Sequence, residues 1–427
     1  MVVFLKTKST FLGAIEITRK MLNDVMFMLE SRTKETYFTR KEKKLNFKNT
    51  ILFSLNFVKK SLQIELDDFF DKFNLSEISI SKQGYSAARK KISPLAFVKL
   101  SKAIINWYYE ENSFKTYRGF RLCAIDGSVL QIPDTEELRN YFGYGKNHKK
   151  SYARARASCI YDLENGIIIT SKIDPYKVAE RDSAKDMIKE LVQIGLKNDL
   201  ILFDRGYPSR DFIAYLDALG IKYLMRCQKN TIKEIVEAKD ADQNIQIIHE
   251  KQAINARVVR FLLNPHTEEI LVTNLIEENF DMSEIKNLYF KRWGIETEYN
   301  NVKNKIEIEN FTGGSKIAIE QDFYASIYLS NMVGLLRNDA NETINEENKQ
   351  KRRKHDYQVN TNVLIGKLKD RMVRILLEDC PIKRDRMFTK IVKEIIRNKT
   401  PIRFGRTYPR KKGLYSTKYP LNQKRCL

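Results

Sequence analysis

Residues 199–227 read DLILFDRGYPSRDFIAYLDALGIKYLMRC, and their pattern decides the fold class. DLILFD is a short apolar strand that ends on a carboxylate, Asp204. Residues 210–220, RDFIAYLDALG, read as a helix, and residues 221–227, IKYLMRC, as a further strand. Strand, helix and strand in succession indicate a mixed sheet flanked by helices, an α/β core.

The same alternation extends towards the N-terminus. Residues 120–133, FRLCAIDGSVLQIP, alternate and are β-rich, and they place Asp126 near the end of a core strand. Residues 154–173 read as two strands joined by a turn at Glu164-Asn165-Gly166, and residues 180–196 as an amphipathic helix. On the other side, residues 229–280 form a β-rich insertion with a hairpin around Asn264-Pro265-His266. Helices resume at Met282 and run, with breaks, to about residue 400. The first 115 or so residues are mainly helical, with apolar spacing through Leu52, Leu55, Val58 and Leu62, then Phe69, Phe70 and Phe73. One of these helices starts near Ser81, ends before Pro94, and carries Arg89, Lys90 and Lys91 in its last turns. Those cations suit the helix dipole there and would equally suit phosphates. The expected organisation is a helical domain over 1–117, an α/β domain over 118–330 containing the insertion, and a basic helical region with an extended tail over 331–427.

The chain has 427 residues and a formal charge of +22, and the charge is unevenly placed. Residues 1–120 carry a net +10, residues 121–350 a net −5, and residues 351–427 a net +17. Two basic ends around an acidic middle fit a polyanion partner, because like charge on one chain otherwise opposes compactness. No stretch of about twenty uncharged apolar residues is present, so no membrane span is expected. Lys6 and Lys8 interrupt the apolar N-terminus, and no small-residue cleavage site follows, so no leader is expected. Five dispersed cysteines and four scattered histidines exclude a disulfide scaffold, a CxxC knuckle and an HExxH pair, and fit a reducing cytoplasm.

Two aspartates at strand ends, Asp126 in CAIDGS and Asp204 in LILFDRGY, are each held by a sheet with open backbone beside them. Converging carboxylates repel one another unless a hard divalent cation such as Mg²⁺ or Mn²⁺ lies between them. A pair of such ions activates an attacking oxygen and stabilises a leaving one. Each aspartate alone would equally serve as a strand terminator. Residues 289–305, YFKRWGIETEYNNVKNK, supply a third carboxylate. At about 100° per residue, Tyr289, Arg292, Glu296 and Lys303 fall within one arc of about 60°, while Glu298 and Lys305 point roughly opposite. One face then carries a metal ligand and phosphate clamps. An i,i+4 ion pair between Arg292 and Glu296 on a solvated helix accounts for the same spacing.

The arrangement Tyr-x2-Arg-x3-Glu-x6-Lys at 289–303 resembles the YREK motif of the bacterial cut-and-paste DDE transposases of the insertion-sequence-four family. Asp126-Gly127-Ser128 and Asp204-Arg205-Gly206-Tyr207 resemble the contexts of that family's two aspartates. Trp293, ENFTGG at 309–314 and QDFYA at 321–325 are similar too, as is a β-rich insertion before the glutamate. The resemblance covers roughly residues 80 to 350.

It implies an RNase H-like core with Asp126, Asp204 and Glu296 as a catalytic triad on two Mg²⁺ ions, for which Mn²⁺ can substitute. It also implies metal-dependent cleavage at terminal inverted repeats, then strand transfer of the freed 3′-hydroxyl into target DNA. Tyr289, Arg292 and Lys303 would hold terminal phosphates, and Trp293 would stack on or brace an unstacked base or sit in the core. Double-stranded DNA is the expected partner, with two protomers paired on two ends, in the bacterial cytoplasm at the nucleoid. An RNase H-like nuclease without strand transfer and a domesticated DNA-binding protein are the alternative readings.

Overall fold

The computed structural model describes residues 9–39, 45–56, 61–72, 79–146, 151–195, 197–276, 278–351, 354–369 and 371–403. The chain forms two units. One comprises Glu16–Tyr37 and Lys90–Leu335, the other Met1–Ile15, Phe38–Arg89 and Leu336–Leu427. Segment 1–117, expected as one helical domain, is therefore divided between them. Among the described residues no helix is long and apolar enough to cross a membrane.

The first unit is built on nine strands: β1 Arg121–Gln131, β2 Tyr144–Lys146, β3 Ser151–Asp162, β4 Ile167–Pro175, β5 Asp199–Phe203, β6 Lys222–Cys227, β7 Asp242–His249, β8 Gln252–Asn264 and β9 Thr267–Thr273. β4, β3 and β1 pair antiparallel, then β1, β5 and β6 pair parallel, which is the RNase H-like order of a mixed sheet. A strand covered on both faces reads as a continuous apolar run. β5 is buried at all its positions, and β1 from Arg121 to Ile125. The helix Glu180–Ile194 follows β4 and buries Ala184, Met187, Ile188 and Leu191. The helix Arg210–Ala218 links β5 to β6 and buries Phe212, Ile213 and Leu216.

Where β1 and β5 begin, Arg121 and Asp199 are register partners and form a fully buried ion pair, Nε to Oδ1 at 2.6 Å. Removing one member of such a pair strands the other charge, at a cost of about 3–5 kcal/mol. The turn between β3 and β4 is fixed by Asp162, whose Oδ1 accepts from the amides of Glu164 (3.0 Å) and Asn165 (2.9 Å). It closes at Gly166 with φ of 66°, a backbone conformation that favours glycine.

The β-rich segment expected over 229–280 carries β7, β8 and β9. β9 pairs antiparallel with β6, β8 with β9 and β7 with β8, so the segment extends the first unit's sheet. The physical reason is the edge of β6: unpaired ladder groups there are satisfied by the returning chain. The expected hairpin at residues 264–266 joins β8 and β9.

In the second unit, the helices Phe47–Ser54, Leu62–Lys72 and Lys82–Arg89 meet through edge contacts of Phe53 with Phe69 (5.3 Å) and Tyr85 (4.6 Å). Phe11 stacks on Phe388 of the helix Pro381–Arg397 at 5.9 Å, and Asp339 accepts from the amides of Thr10 and Phe11. The tail from 404 onward, expected as an extended basic arm, lies outside the described residues, as do Val58 and Phe73.

Candidate active site

The parallel register aligns Ala124 of β1 with Leu202 of β5. Two residues further on come Asp126, in the middle of β1 rather than at its end, and Asp204, the first residue past the end of β5, so the β1–β5 pairing brings the two carboxylates near one another. Each aspartate has one oxygen held by the following amide: Asp126 Oδ1 accepts from Gly127 at 2.9 Å, and Asp204 Oδ1 from Arg205 at 2.6 Å. Burial, with Asp204 and Glu180 close by, pushes the Asp126 carboxyl up to about 6, against the pull of the Gly127 amide and Arg292. Crowded carboxylates with oxygens to spare are a donor set that fits a hard divalent ion.

The segment carrying Glu296 is not one straight helix. The helix Met282–Phe290, opened by a capping box between Asp281 and Glu284, ends before Lys291. A second helix, Trp293–Asn301, follows and passes into a π-helical turn, Val302–Ile306. This segment is fastened to β1. The Tyr299 hydroxyl donates to the Asp126 carbonyl (2.8 Å), and Lys303 Nζ donates to the Val129 carbonyl (2.7 Å).

Arg292 is the junction of the site. Its guanidinium donates to Glu296 Oε1 at 2.7 Å, lies 5.8 Å from the Tyr289 ring centroid, and acts electrostatically on both Asp126 and Asp204. Among the described residues its buried Nε has no hydrogen-bond partner. Glu296 therefore faces Arg292. Among the described residues no three carboxylates, histidines or cysteines stand close enough together to share one metal ion. Asp126 and Asp204 are together, and Glu296 reaches them only through Arg292.

The rival carboxylate, Glu298, turns inward and is buried, with Ser330, Asn301 and Tyr161 donating to it. Trp293 is 52% exposed, which removes the core alternative for its ring. Lys303 is partly buried on its β1 carbonyl, and burial lowers its ammonium below the ordinary value. The cluster at 89–91 is not a uniform cationic patch. Arg89 is 2% exposed, its guanidinium 5.5 Å from the Tyr85 ring centroid, so it offers no surface cation to a phosphate. Lys90 is exposed, and Lys91 lies over the Tyr37 ring at 5.6 Å.

Glu180 opens the helix that the sequence places over residues 180–196, and nothing in its own pattern marks it for the site. In the structure it pairs with Arg156, and its side chain crosses both glycines that follow the aspartates. A Cβ on Gly127 would stand 3.2 Å from Glu180 Cγ, and one on Gly206 would stand 3.4 Å from Glu180 Oε2. The sequence signal was the pair of glycines: two aspartates each closely followed by a residue without a side chain, where something must pass.

A family model described as the transposase DDE domain matches residues 117–332, half of the chain. The chain belongs to the DDE transposase family. InsZ of Escherichia coli (strain K12), whose name carries the word transposase, is 29% identical over 28% of this chain and 41% of its own length. The transposase InsG for insertion sequence element IS4, from the same organism, is 21% identical over 58% of this chain and 59% of its own. The chain thus spans less than two thirds of either relative it matches. A cryo-electron microscopy structure of a piggyBac transposase synaptic complex with hairpin DNA aligns at a TM-score of 0.49 and 11% identity, over 91% of this chain and 87% of that one. DDE transposases act with divalent metal ions.

Proposed function

We propose that this DDE transposase performs cut-and-paste transposition, cleaving DNA at the terminal inverted repeats of an element and joining the freed 3′-hydroxyl to target DNA. The observation that carries this reading is the pair Asp126, within β1, and Asp204, directly after the parallel strand β5, with Arg292 acting on both and paired with Glu296.

Asp126, Asp204 and Glu296 would hold Mg²⁺, with Mn²⁺ as a substitute. Divalent ions there polarise the scissile phosphate and lower the pKa of an attacking water or hydroxyl. The protein's own part is positioning. β1 and β5 fix the two aspartates, and their neighbouring amides hold one oxygen of each. Glu296 joins them by leaving Arg292, and that exchange frees a buried guanidinium to take a phosphate oxygen in its place. The unpartnered Arg292 Nε supports that role. Tyr289 braces Arg292 from below, the exposed Trp293 offers a stacking face to an unstacked base, and Lys303 and Lys90 offer charge to phosphates. Two ends must be brought together for the joining step, so the working form is a dimer on DNA, in the bacterial cytoplasm at the nucleoid.

The test is incubation of full-length protein with a labelled duplex carrying the element's end, in Mg²⁺, Mn²⁺, Ca²⁺ or EDTA. Cleavage with Mg²⁺ or Mn²⁺ and joining of the 3′-end to a second duplex is expected. Cleavage without joining would leave a nuclease of the same fold. Cleavage in EDTA would overturn the metal assignment.

A further inference from the structure

The helix Pro381–Arg397 has two faces of opposite kind. Phe388, Ile391, Val392 and Ile395 are buried, and the cation Arg384 goes inside with them, donating to the carbonyls of Glu378 and Asp379. The outer face carries Lys383, Arg386, Lys390, Lys393 and Arg397, all exposed. These positions recur every three or four residues, so at about 100° per residue all five fall in an arc of about 80°.

None of the five takes part in an ion pair among the described residues, whereas nearby cations do. Lys367 and Arg371 share Glu394, each at 3.0 Å, and Lys399 pairs with Glu347 at 2.5 Å. An open cleft of about 670 Å³ runs along Arg386, Thr389, Lys390, Lys393 and Arg397, and its two carboxylates are Asp385 and Glu394, the latter already shared by Lys367 and Arg371. The sequence beyond residue 403 supplies no counter-charge, since it holds seven Lys or Arg and no Asp or Glu.

We propose that this cationic stripe is a DNA-backbone docking surface, made of residues other than those of the site at Asp126 and Asp204 and indifferent to base sequence. The proposal rests on the transposase reading for its choice of polyanion. Fourteen residues separate Lys383 from Arg397. At a rise of about 1.5 Å per residue the stripe is about 21 Å long. Duplex DNA presents one charge per about 1.7 Å of its axis, so the stripe can follow several phosphates. Arginines and lysines in a row without reading groups between them position DNA and carry no sequence information.

The experiment compares full-length protein with the variant K383Q/R386Q/K390Q/K393Q/R397Q and with a control, K229Q/K239Q/K251Q, at exposed lysines elsewhere. Binding to an element-end duplex and to an unrelated duplex of equal length is followed by fluorescence anisotropy in Ca²⁺ over a salt series. Thermal melts check that both variants remain folded. The stripe variant is expected to lose at least about tenfold in affinity for both duplexes, and its log–log salt slope should fall by roughly 4. The control should lose far less.

Unchanged affinity and slope in a folded stripe variant would overturn the proposal, as would a loss per charge as large in the control. A change in sedimentation with DNA binding intact would also overturn it, by assigning the stripe to a protein partner. If the unmodified protein bound neither duplex, the transposase reading itself would fail, which is a distinct result.

Discussion

The two aspartates and Glu296 are held in different ways, although both belong to the same candidate site. Asp126 sits in β1 and Asp204 directly follows β5, its parallel neighbour, and each has an oxygen pinned by the next amide. Glu296 sits on a segment broken at Lys291 and Arg292 and ending in a π-helical turn, and its carboxylate is paired with Arg292. The sheet supplies carboxylates that need no rearrangement. The broken helix supplies a carboxylate with a second partner. π-Helical turns and interrupted helices tend to occur where a side chain must be re-aimed.

The largest expected effect tests whether both halves serve one reaction. Asp204→Asn and Glu296→Gln should each slow single-turnover cleavage on the order of 10³-fold or more with end binding in Ca²⁺ retained. A Glu296→Gln protein that cleaves normally would confine the chemistry to the sheet.

Arg292→Ala should split the two readouts. Cleavage should slow about 10- to 100-fold, in line with the loss of a charge-assisted hydrogen bond of about 1.5–3 kcal/mol. Mn²⁺ binding by the DNA-free protein, followed by electron paramagnetic resonance, should tighten instead, because Glu296 no longer has a competing partner. Weakened Mn²⁺ binding would mean that Arg292 orients Glu296 rather than restrains it.

Glu298→Gln should act on stability. Its buried carboxylate accepts from Ser330, Asn301 and Tyr161, so denaturant unfolding should show a loss of about 1–3 kcal/mol while cleavage by the folded variant stays within a few-fold. If Glu298→Gln abolished cleavage without destabilising the protein, the register of the helix would be wrong.

On the sheet side, burial and neighbouring carboxylates raise Asp126 to about 6 from 3.8. A carboxyl raised in the folded state costs stability above about pH 6, where the charge must be carried, and the cost fades as pH falls towards about 4. In EDTA, Asp126→Asn should therefore stabilise the protein by about 1–3 kcal/mol at pH 7.5, with most of the gain gone at pH 4.5. A gain independent of pH would argue against a buried charge.

The smallest effect concerns spacing. Gly127→Ala brings a Cβ to 3.2 Å from Glu180 Cγ and should cost about 1 kcal/mol, recovered in part by adding Glu180→Ala. No recovery in the double variant would show that Glu180 is not what Gly127 accommodates.

Sequence by itself determined the elements and the identity of the candidate ligands. The apolar runs of β1 and β5 and the turn at Gly166 are local patterns, and Asp126 and Asp204 stand where those runs stop. Helical periodicity also put Glu296 and Glu298 on different faces, as the structure does, because positions two residues apart on a helix face nearly opposite ways. What only the tertiary structure decided involves partners distant in the chain. The strands of 242–273 could belong to a separate insert or extend the sheet, and pairing of β9 with β6 settles this because ladder hydrogen bonds are not encoded locally. Arg89 has the composition of a surface cation and is buried against Tyr85. Glu296 has the spacing of a ligand, and its neighbour in space is Arg292 rather than the aspartates. Glu180 lies 54 residues from Asp126 and 24 from Asp204, and only the folded sheet brings its side chain across the glycines beside both. Periodicity fixes which way a side chain points from its own element, and packing fixes what it meets there.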